Sequence, residues 1–268
     1  MNNVQMTVFG ISFIFVMTTL GAATVFLFRK TIPLKLNSLF LGFSSGIMVA
    51  ASIWSLLLPA IDGSENLGAV SFLPAAVGLV LGGAFLMVLD KLVVRLNDSI
   101  RLKEEKKNPL AAGYDFKKYI KLHLAVTLHN IPEGLAVGFA FGAAITIGTP
   151  AAFVPAMGLA IGIGIQNFPE GAAVSIPLRN VNISRTKAFL YGALSGVVEP
   201  VFGVLGFFLA SYISILQPWL LAFAAGAMLF VVAEDLIPDA KNSEHPHLST
   251  WGFMLGFIIM MVLDVALG

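Results

Sequence analysis

The sequence predicts an all-α membrane protein with eight transmembrane helices, as its composition, its long apolar segments and its positive charges indicate. Of the 268 residues, 57% are hydrophobic and 12% are charged. The mean hydropathy of +0.89 lies well above the range of soluble globular domains. We therefore expect the chain to be surrounded by membrane lipid.

Eight segments satisfy the length criterion for crossing a bilayer, which is about 20 mostly apolar residues. They lie at about residues 6–28, 36–60, 70–93, 119–144, 151–177, 186–210, 217–239 and 249–267. We expect helices because backbone groups in lipid must be hydrogen-bonded internally, and the alternating ten-residue segments of a membrane barrel are lacking. The first segment is followed by Arg29 and Lys30 rather than a cleavage site, so we interpret it as a helix of the mature chain.

The positive charges provide a test of this count. All 16 Lys and Arg residues belong to the connections between helices 1 and 2, 3 and 4, 5 and 6, and 7 and 8. Positive charge accumulates on the cytoplasmic side of membrane proteins. The predicted topology places both termini outside and the long connection, about residues 94–118, in the cytoplasm. A plasma membrane, such as the bacterial inner membrane, is the expected location.

Composition also excludes several classes of partner and site. The chain contains no cysteine and has a net charge of +1. Without cysteine, neither a disulfide framework nor a thiolate metal cluster can form, so a metal site would use His, carboxylate, amide or thioether ligands. No basic block is interleaved with aromatic residues, and nucleic acid is therefore not an expected partner.

A weak internal repeat relates helix 2 to helix 7. The residues SGIM at 45–48, followed by Pro59, resemble AGAM at 225–228, followed by Pro238. The two helices run in opposite directions through the membrane. The repeat therefore predicts that helices 1–3 and 6–8 form an inverted repeat, as in many secondary transporters.

A stronger repeat lies in helices 4 and 5. The motif HNIPEG at residues 129–134 and the motif QNFPEG at residues 166–171 are identical at four of six positions. Each motif places its first and fifth residues on one helix face, because residues four apart lie one above the other. Pro132 and Pro169 lack an N–H group and are expected to break the regular helix beside these polar residues.

These motifs predict a cation site near the middle of the membrane. Glu133, Glu170, Glu199 and Glu234 lie in apolar segments that contain no Lys or Arg at the same depth. Burying each carboxylate costs about 2.5–3.5 kcal/mol, so it is expected to bind a proton or a cation. His129 together with carboxylates and amides suits Zn, Fe, Mn or Co rather than Mg, Ca or Cu(I).

At these residues the sequence resembles the ZIP family of Zrt- and Irt-like divalent metal transporters, particularly its GufA-like bacterial branch. The likeness extends over the whole chain and includes SGVVEP at residues 195–200 and GAMLFVVAEDLIP at residues 226–238. The resemblance implies a single transport domain over residues 1–268, with eight helices in a 3+2+3 arrangement. It also implies uptake of zinc, cadmium, iron or manganese toward the cytoplasm through a site, often binuclear, between helices 4 and 5.

The resemblance also implies roles for individual residues. The family's primary site maps onto Met48, His129, Glu133, Gln166 and Glu170, and a neighbouring second site maps onto Asn130, Asn167, Glu170 and Glu199. Met48 would add a thioether if it faces this zone and would otherwise serve in helix packing. Asp62 would lie at the entrance, with Asp90 and Glu234 toward the cytoplasmic exit. Asn167 occupies a position that can be Asp in relatives, which weakens the expectation of two bound metals.

The transport hypothesis has two alternatives. One is a proton or monovalent-cation carrier that uses the buried glutamates, and the other is an intramembrane zinc hydrolase, although the HExxH motif of many such enzymes is absent. In the transport hypothesis the chain is not an enzyme and needs no prosthetic group, since the metal is the cargo. We expect helices 1–3 and 6–8 to move against the central pair. Protons should compete with metal at the glutamates, and the small residues at 158–162 permit a homodimer.

Overall fold

The structure is a computed structural model, and it describes residues 2–27, 33–107, 114–176, 178 and 183–267. At residues 37, 93–107, 114–125, 214 and 267 only the backbone is described. The predicted ends of helices 1 and 5, at residues 28 and 177, lie outside the described residues. The same holds for residues 108–113 of the predicted connection.

Among the described residues, eight helices are long and apolar enough to cross a membrane. The spans are α1 (Asn3–Phe26), α2 (Leu34–Asp62), α3 (Leu73–Leu92), α4 (Val126–Ile147), α5 (Pro150–Ser175), α6 (Arg185–Tyr212), α7 (Gln217–Lys241) and α8 (Pro246–Ala266). All regular structure in the described part of the chain is helical. The prediction of an all-α fold with eight spans is confirmed, although several spans begin or end at other residues than predicted.

The polar connection predicted at about residues 94–118 is largely helical in the part that the structure describes. The helix of α3 continues from Leu73 to Lys107, and the helix of α4 begins at Tyr114, well before its membrane span. The charged residues in this stretch are mainly Lys, Arg and Glu, which have high helix propensity. Helix propensity therefore favours a helical backbone on both sides of residues 108–113.

A π-helical turn interrupts α2 and α7 at corresponding places. In α2 the turn covers Ser52–Leu57, and in α7 it covers Val232–Leu236. Each turn is followed by a short α-helical segment with proline in its first turn, Pro59 in α2 and Pro238 in α7. Proline cannot donate its backbone nitrogen and clashes with the preceding turn, so the wider π turn accommodates it. The weak sequence repeat between these helices therefore coincides with a shared backbone irregularity.

The prolines of α4 and α5 have a smaller effect than expected. Pro132 lies inside the continuous α-helix Tyr114–Ile147, and Pro169 lies inside the continuous α-helix Phe153–Ser175. Neither proline breaks its helix, which corrects the prediction. The polar residues of both motifs are therefore held by regular helical backbone.

The helices pack in four principal pairs, α2 with α8, α3 with α7, α4 with α6, and α1 with α5. Glycine permits very close approach in these pairs. A side chain at Gly46 would overlap the backbone of Phe253 in α8, and one at Gly134 would overlap the backbone of Glu199 in α6. Further contacts join α2 to α7, α4 to α5 and α1 to α6. The described spans thus form two groups, one of α2, α3, α7 and α8 and one of α1, α4, α5 and α6.

This pairing is unchanged when α1–α3 are exchanged with α6–α8 and α4 is exchanged with α5. The pair α1 with α5 becomes α6 with α4, and the pair α2 with α8 becomes α7 with α3. An inverted repeat centred on α4 and α5 would produce this pattern of contacts.

Candidate metal centre

The residues of the HNIPEG and QNFPEG motifs meet where α4, α5 and α6 pack together. The side chains of Asn130, Glu133, Gln166, Asn167 and Glu199 are completely buried. Buried carboxylates and amides require hydrogen-bond partners or a bound ion. The predicted concentration of polar groups inside the bundle is therefore present.

Four hydrogen bonds connect this zone to its surroundings. Gln166 Nε2 donates to Glu133 Oε1 at 2.5 Å, which links α5 to α4. Asn130 Nδ2 donates to the carbonyl oxygen of Ser195 at 3.0 Å, and Ser44 Oγ of α2 donates to the carbonyl oxygen of Gln166 at 3.4 Å. Thr18 Oγ1 of α1 donates to Glu199 Oε1 at 2.6 Å.

Several buried oxygens of the same side chains have no hydrogen-bond partner. They are Asn130 Oδ1, Glu133 Oε2, Gln166 Oε1, Asn167 Oδ1, Glu170 Oε2 and Glu199 Oε2. An unsatisfied buried acceptor costs about 1–3 kcal/mol, so a cluster of six is unstable unless a cation or protons bind there. The amide nitrogen Nδ2 of Asn167 also lacks a partner.

The three central glutamates repel one another. Glu133 interacts electrostatically with both Glu170 and Glu199, and Asn167 lies beside Glu133 and Glu199. Among the described residues, no Lys or Arg forms an ion pair with these carboxylates. A cluster of acidic groups in an apolar interior therefore attracts a cation strongly, because electrostatic interactions are weakly screened there.

His129 contacts a residue that the sequence reasoning missed. Its Nε2 lies 3.1 Å from Asp235 Oδ2 in the π turn of α7, and the His129 side chain is 14% exposed. His129 also interacts electrostatically with Glu170. In the described part of the chain, no three His, Asp or Glu side chains are arranged to hold a metal ion. Gln166 and Glu133 are therefore in contact through a hydrogen bond, whereas His129 contacts Asp235 of α7.

A cavity of about 120 Å³ opens beside His129 between α3, α4 and α7. Its lining includes Asp90, Lys91, His129, Glu234 and Asp235. The structure therefore brings Asp90 and Glu234 to the same cavity as His129. Asp235 could have been suggested from the sequence because it directly follows Glu234 in the otherwise apolar segment of α7.

The two remaining predicted residues lie on α2. Met48 is completely buried and stands one helical turn beyond Ser44, whose hydroxyl bonds to α5. Met48 is therefore on the face of α2 that packs against α5. Asp62 is the last residue of the α2 span and is exposed.

Asp264 of α8 is a second residue that the sequence reasoning missed. Ser55 Oγ, in the π turn of α2, donates to Asp264 Oδ1, while Asp264 Oδ2 is buried without a partner. Ser55 follows the middle of α2 and Asp264 lies near the end of α8, so both are in the half of the bundle opposite the cavity. Asp264 could have been identified from the sequence because it is a single carboxylate in an otherwise apolar segment.

Known proteins with similar sequences all point to one family. A family model described as ZIP zinc transporter matches residues 96–264. The chain is 40% identical to zinc transporter ZIP11 of Xenopus tropicalis over 320 aligned positions, covering 94% of each chain. It is 38% identical to ZIP11 of Homo sapiens over 339 positions, covering 100% of this chain and 98% of the relative. It is 37% identical to zinc transporter GufA of Myxococcus xanthus over 256 positions, covering 94% of each chain.

Proposed function

Because the chain belongs to the ZIP zinc transporter family, we propose that it carries zinc toward the cytoplasm through a His, Glu and Gln site on α4 and α5. Family membership and eight apolar spans make the chain an integral membrane protein and a transporter rather than an enzyme. The similarity to GufA agrees with the GufA-like branch that the motifs predicted. Zinc is the cargo of this proposal because the relatives are named as zinc transporters.

The observation that carries the proposal is the cluster of buried oxygens without partners. Glu133, Gln166 and Glu170 each have one such oxygen, and no described Lys or Arg neutralises the carboxylates. A divalent cation would bind several of these oxygens at once and remove the repulsion among the glutamates. Because water is scarce at this depth, the protein oxygens must replace the hydration shell of the ion.

We assign the primary position to His129, Glu133, Gln166 and Glu170, with Met48 beside them on α2. The imidazole of His129 favours a borderline transition metal over Mg²⁺, which prefers oxygen ligands and keeps its water. Zinc, cadmium, iron and manganese are therefore the expected cargoes. The side chain of His129 would leave Asp235 when it joins the bound ion.

A neighbouring second position is assigned to the amides and carboxylates closer to α6. It consists of Asn130, Asn167, Glu170 and Glu199, of which Glu170 is shared with the primary position. The partnerless oxygens of Asn130, Asn167 and Glu199 support this assignment. This position has two carboxylates, as the primary one does, but it lacks an imidazole, and Asn167 supplies an amide where Asp would add a negative charge. It should therefore bind a transition metal more weakly than the primary position.

The path of the ion is proposed from the cavity and the positive charges. The cavity with Asp90, Glu234 and Asp235 lies at the end of α3. From that end the chain continues into a connection rich in Lys and Arg, which is typical of the cytoplasmic side. We therefore propose that the cavity is the exit, that Asp62 lies at the opposite, outer side, and that both termini are outside. A plasma membrane is the corresponding location.

The contacts favour a different moving unit from the one that the repeat suggested. The 3+2+3 arrangement describes the order of the repeat along the chain, whereas the close glycine contacts tie α4 to α6 and α2 to α8. We propose that α1, α4, α5 and α6 move together against α2, α3, α7 and α8. The metal ligands of α4, α5 and α6 would then travel as one body.

Uptake of metal into proteoliposomes tests the proposed function. Vesicles loaded with a chelating dye would report Zn²⁺, Cd²⁺, Mn²⁺, Fe²⁺ and Mg²⁺ entry for the native protein, His129→Ala and Glu170→Gln. We expect transition-metal uptake without Mg²⁺ uptake, and a loss of about 100-fold or more in both variants because each removes a ligand. His247→Ala and Glu65→Gln are matched controls, since both residues are exposed outside the site, and they should transport normally.

The other outcomes of the same experiment discriminate the alternatives. Proton or Na⁺ flux that depends on Glu170 but occurs without any transition-metal flux would support a monovalent-cation carrier. Zinc that stays bound to the purified protein without crossing the vesicle membrane would favour a hydrolase site. Zinc flux that is the same in the native protein and in both site variants would refute the assignment of the site.

A further inference from the structure

Thr18 of α1 contacts the candidate metal centre although α1 contributes none of the proposed ligands. The side chain of Thr18 is completely buried, and its Oγ1 lies 2.6 Å from Glu199 Oε1 in α6. The two residues are 181 positions apart in the chain. This short contact to a carboxylate is typical of a charge-assisted hydrogen bond.

Glu199 needs such a partner because it follows an irregular part of α6. The first helical segment of α6 ends at Ser195, and the second begins at Val198, with a turn between them. The backbone N–H of Glu199 donates to the carbonyl oxygen of Gly196 at 3.0 Å. The direction of the Glu199 side chain is therefore not set by a continuous helix alone, and a contact from another helix can fix it.

Thr18 is itself held tightly between α5 and this turn. Its carbonyl oxygen lies so close to Gly171 that a side chain there would overlap it, and Gly171 directly follows Glu170. A Cβ atom at Gly196 would lie 2.8 Å from Thr18 Cγ2 and 3.0 Å from Glu199 Oε1. The position of Thr18 is thus coupled to the backbone beside Glu170 and to the carboxylate of Glu199.

The two carboxylate oxygens of Glu199 differ in their hydrogen bonding. Oε1 accepts from Thr18, whereas Oε2 is buried without a partner. Glu199 also interacts electrostatically with Glu170 and lies beside Asn167. The free oxygen is therefore the one available to an ion shared with these residues.

We propose that Thr18 is a positioning residue for the transported cation, which holds Glu199 by Oε1 so that Oε2 alone binds the ion at the second position. This inference rests on the proposed function and deepens it. Thr18 does not bind the ion itself. Removing its hydroxyl releases Glu199 to rotate and also leaves Oε1 without a donor, so the ion at this position loses affinity.

A purely structural role for Thr18 predicts a different result. Thr18 Oγ1 also lies 3.2 Å from the carbonyl oxygen of Ile14 one turn earlier, a contact that many buried threonines make within their own helix. Thr7 of α1 makes the equivalent contact to the carbonyl oxygen of Asn3 at 3.0 Å, with no site residue nearby in its hydrogen bonding. Thr7→Val is therefore a matched control for loss of this backbone contact.

The test compares zinc uptake by Thr18→Val, Thr18→Ser, Thr7→Val, Glu199→Gln and the double variant Thr18→Val with Glu199→Gln. We expect Thr18→Val to lower kcat/KM for Zn²⁺ about tenfold, the effect of losing one hydrogen bond to a charged group. Thr18→Ser should stay within about twofold of the native protein because it keeps the hydroxyl, and Thr7→Val should be unchanged. In the Glu199→Gln background, Thr18→Val should add little, since interacting residues are not additive.

Three results obtained with the Thr18 variants would overturn the proposal. They are normal uptake by Thr18→Val, loss of uptake in Thr18→Ser equal to that in Thr18→Val, and an undiminished tenfold effect of Thr18→Val in the Glu199→Gln background. If Thr18→Val does not purify as a monodisperse protein, Thr18→Ala removes the same hydroxyl with less bulk beside Gly196. Normal uptake by Glu199→Gln would instead remove the second position from the proposed function, and the Thr18 inference with it, while loss of uptake in His129→Ala would still support the primary position.

Discussion

At the scale of single residues, the site combines buried charge with unsatisfied hydrogen-bonding capacity. Glu133 illustrates this, because Oε1 accepts from Gln166 while Oε2 has no partner and two other glutamates lie near enough to repel it. Without a cation, such a charged carboxylate destabilises the fold, because it is buried without an ion-pair partner and is repelled by its neighbours. We therefore expect the metal-free site to lower the stability of the fold, and the same carboxylates to bind metal tightly.

The substitution Glu133→Gln should separate these two effects. In metal-free detergent solution at pH 8, the variant should melt at a higher temperature than the native protein, by about 2–4 °C for each kcal/mol of repulsion removed. Adding Zn²⁺ should raise the melting temperature of the native protein, as any ligand of the folded state does, but should have little effect on the variant. Fluorescence-monitored melting with and without Zn²⁺ measures the metal-free melting temperature and its increase on zinc binding.

The exposed Glu65→Gln serves as the control for this measurement, because Glu65 lies outside the site in the connection between α2 and α3. It should leave both the metal-free melting temperature and the zinc response unchanged. A variant Glu133→Gln that is less stable without metal, yet still stabilised by Zn²⁺, would show that Glu133 is a structural residue.

At the scale of elements, the π turns of α2 and α7 have a common consequence. Each turn carries a polar residue whose side chain bonds to another helix, namely Ser55 to Asp264 of α8 and Asp235 to His129 of α4. A π turn inserts one extra residue, which rotates the following residues by about 100° relative to a regular helix. The π turn therefore gives these side chains a different direction from the one they would have on a regular α-helix.

The substitution Pro238→Ala tests the importance of the π turn in α7. Alanine restores the backbone donor and removes the clash, so the helix can relax toward regular α-helical geometry and Asp235 moves away from His129. We expect zinc uptake to fall several-fold while the protein remains folded, because alanine favours the helix. The measurement is the initial rate of Zn²⁺ uptake together with the melting temperature.

Pro246→Ala is the matched control, since Pro246 is the first residue of α8, where proline is well tolerated and lacks this role. Equal uptake by Pro238→Ala and Pro246→Ala would indicate that Asp235 reaches His129 without help from the π turn.

At the scale of the whole molecule, the two halves of the bundle differ. One half contains the cavity beside His129, whereas in the other half Ser55 bonds to Asp264 and Trp54 packs edge-on against Phe257 with ring centroids 5.4 Å apart. Met260 of α8 is completely buried against Gly162 of α5 in that closed half. Among the described residues, the cavity thus lies in one half of the bundle, and the side chains named above are packed together in the other, closed half.

The absence of native cysteine allows this asymmetry to be measured directly. Met87→Cys places a thiol in the lining of the cavity, and Met260→Cys places one in the closed half. We expect a membrane-impermeant maleimide to label Met87→Cys rapidly from the cytoplasmic side and Met260→Cys from neither side. Mass spectrometry of vesicles with defined orientation measures the labelled fraction.

Val265→Cys, an exposed position on α8, controls for access to that helix from outside. Labelling of Met87→Cys only from the side that carries the termini would reverse the proposed direction of the exit. Equal labelling of Met87→Cys and Met260→Cys would show that both halves are open.

The sequence alone determined the all-α fold, the eight spans and the polar motifs, whereas the tertiary structure decided which helices pair and which residues meet the motifs. Hydropathy adds up along the chain, and spacing four residues apart fixes a helix face, so both can be derived locally. Helix propensity is also a local property, and it accounts for the extension of the α3 helix to Lys107. The contacts of Thr18 with Glu199, His129 with Asp235 and Ser55 with Asp264 join residues more than 100 positions apart. Only the packing of the helices brings such residues together, because no local pattern in the sequence encodes their distance.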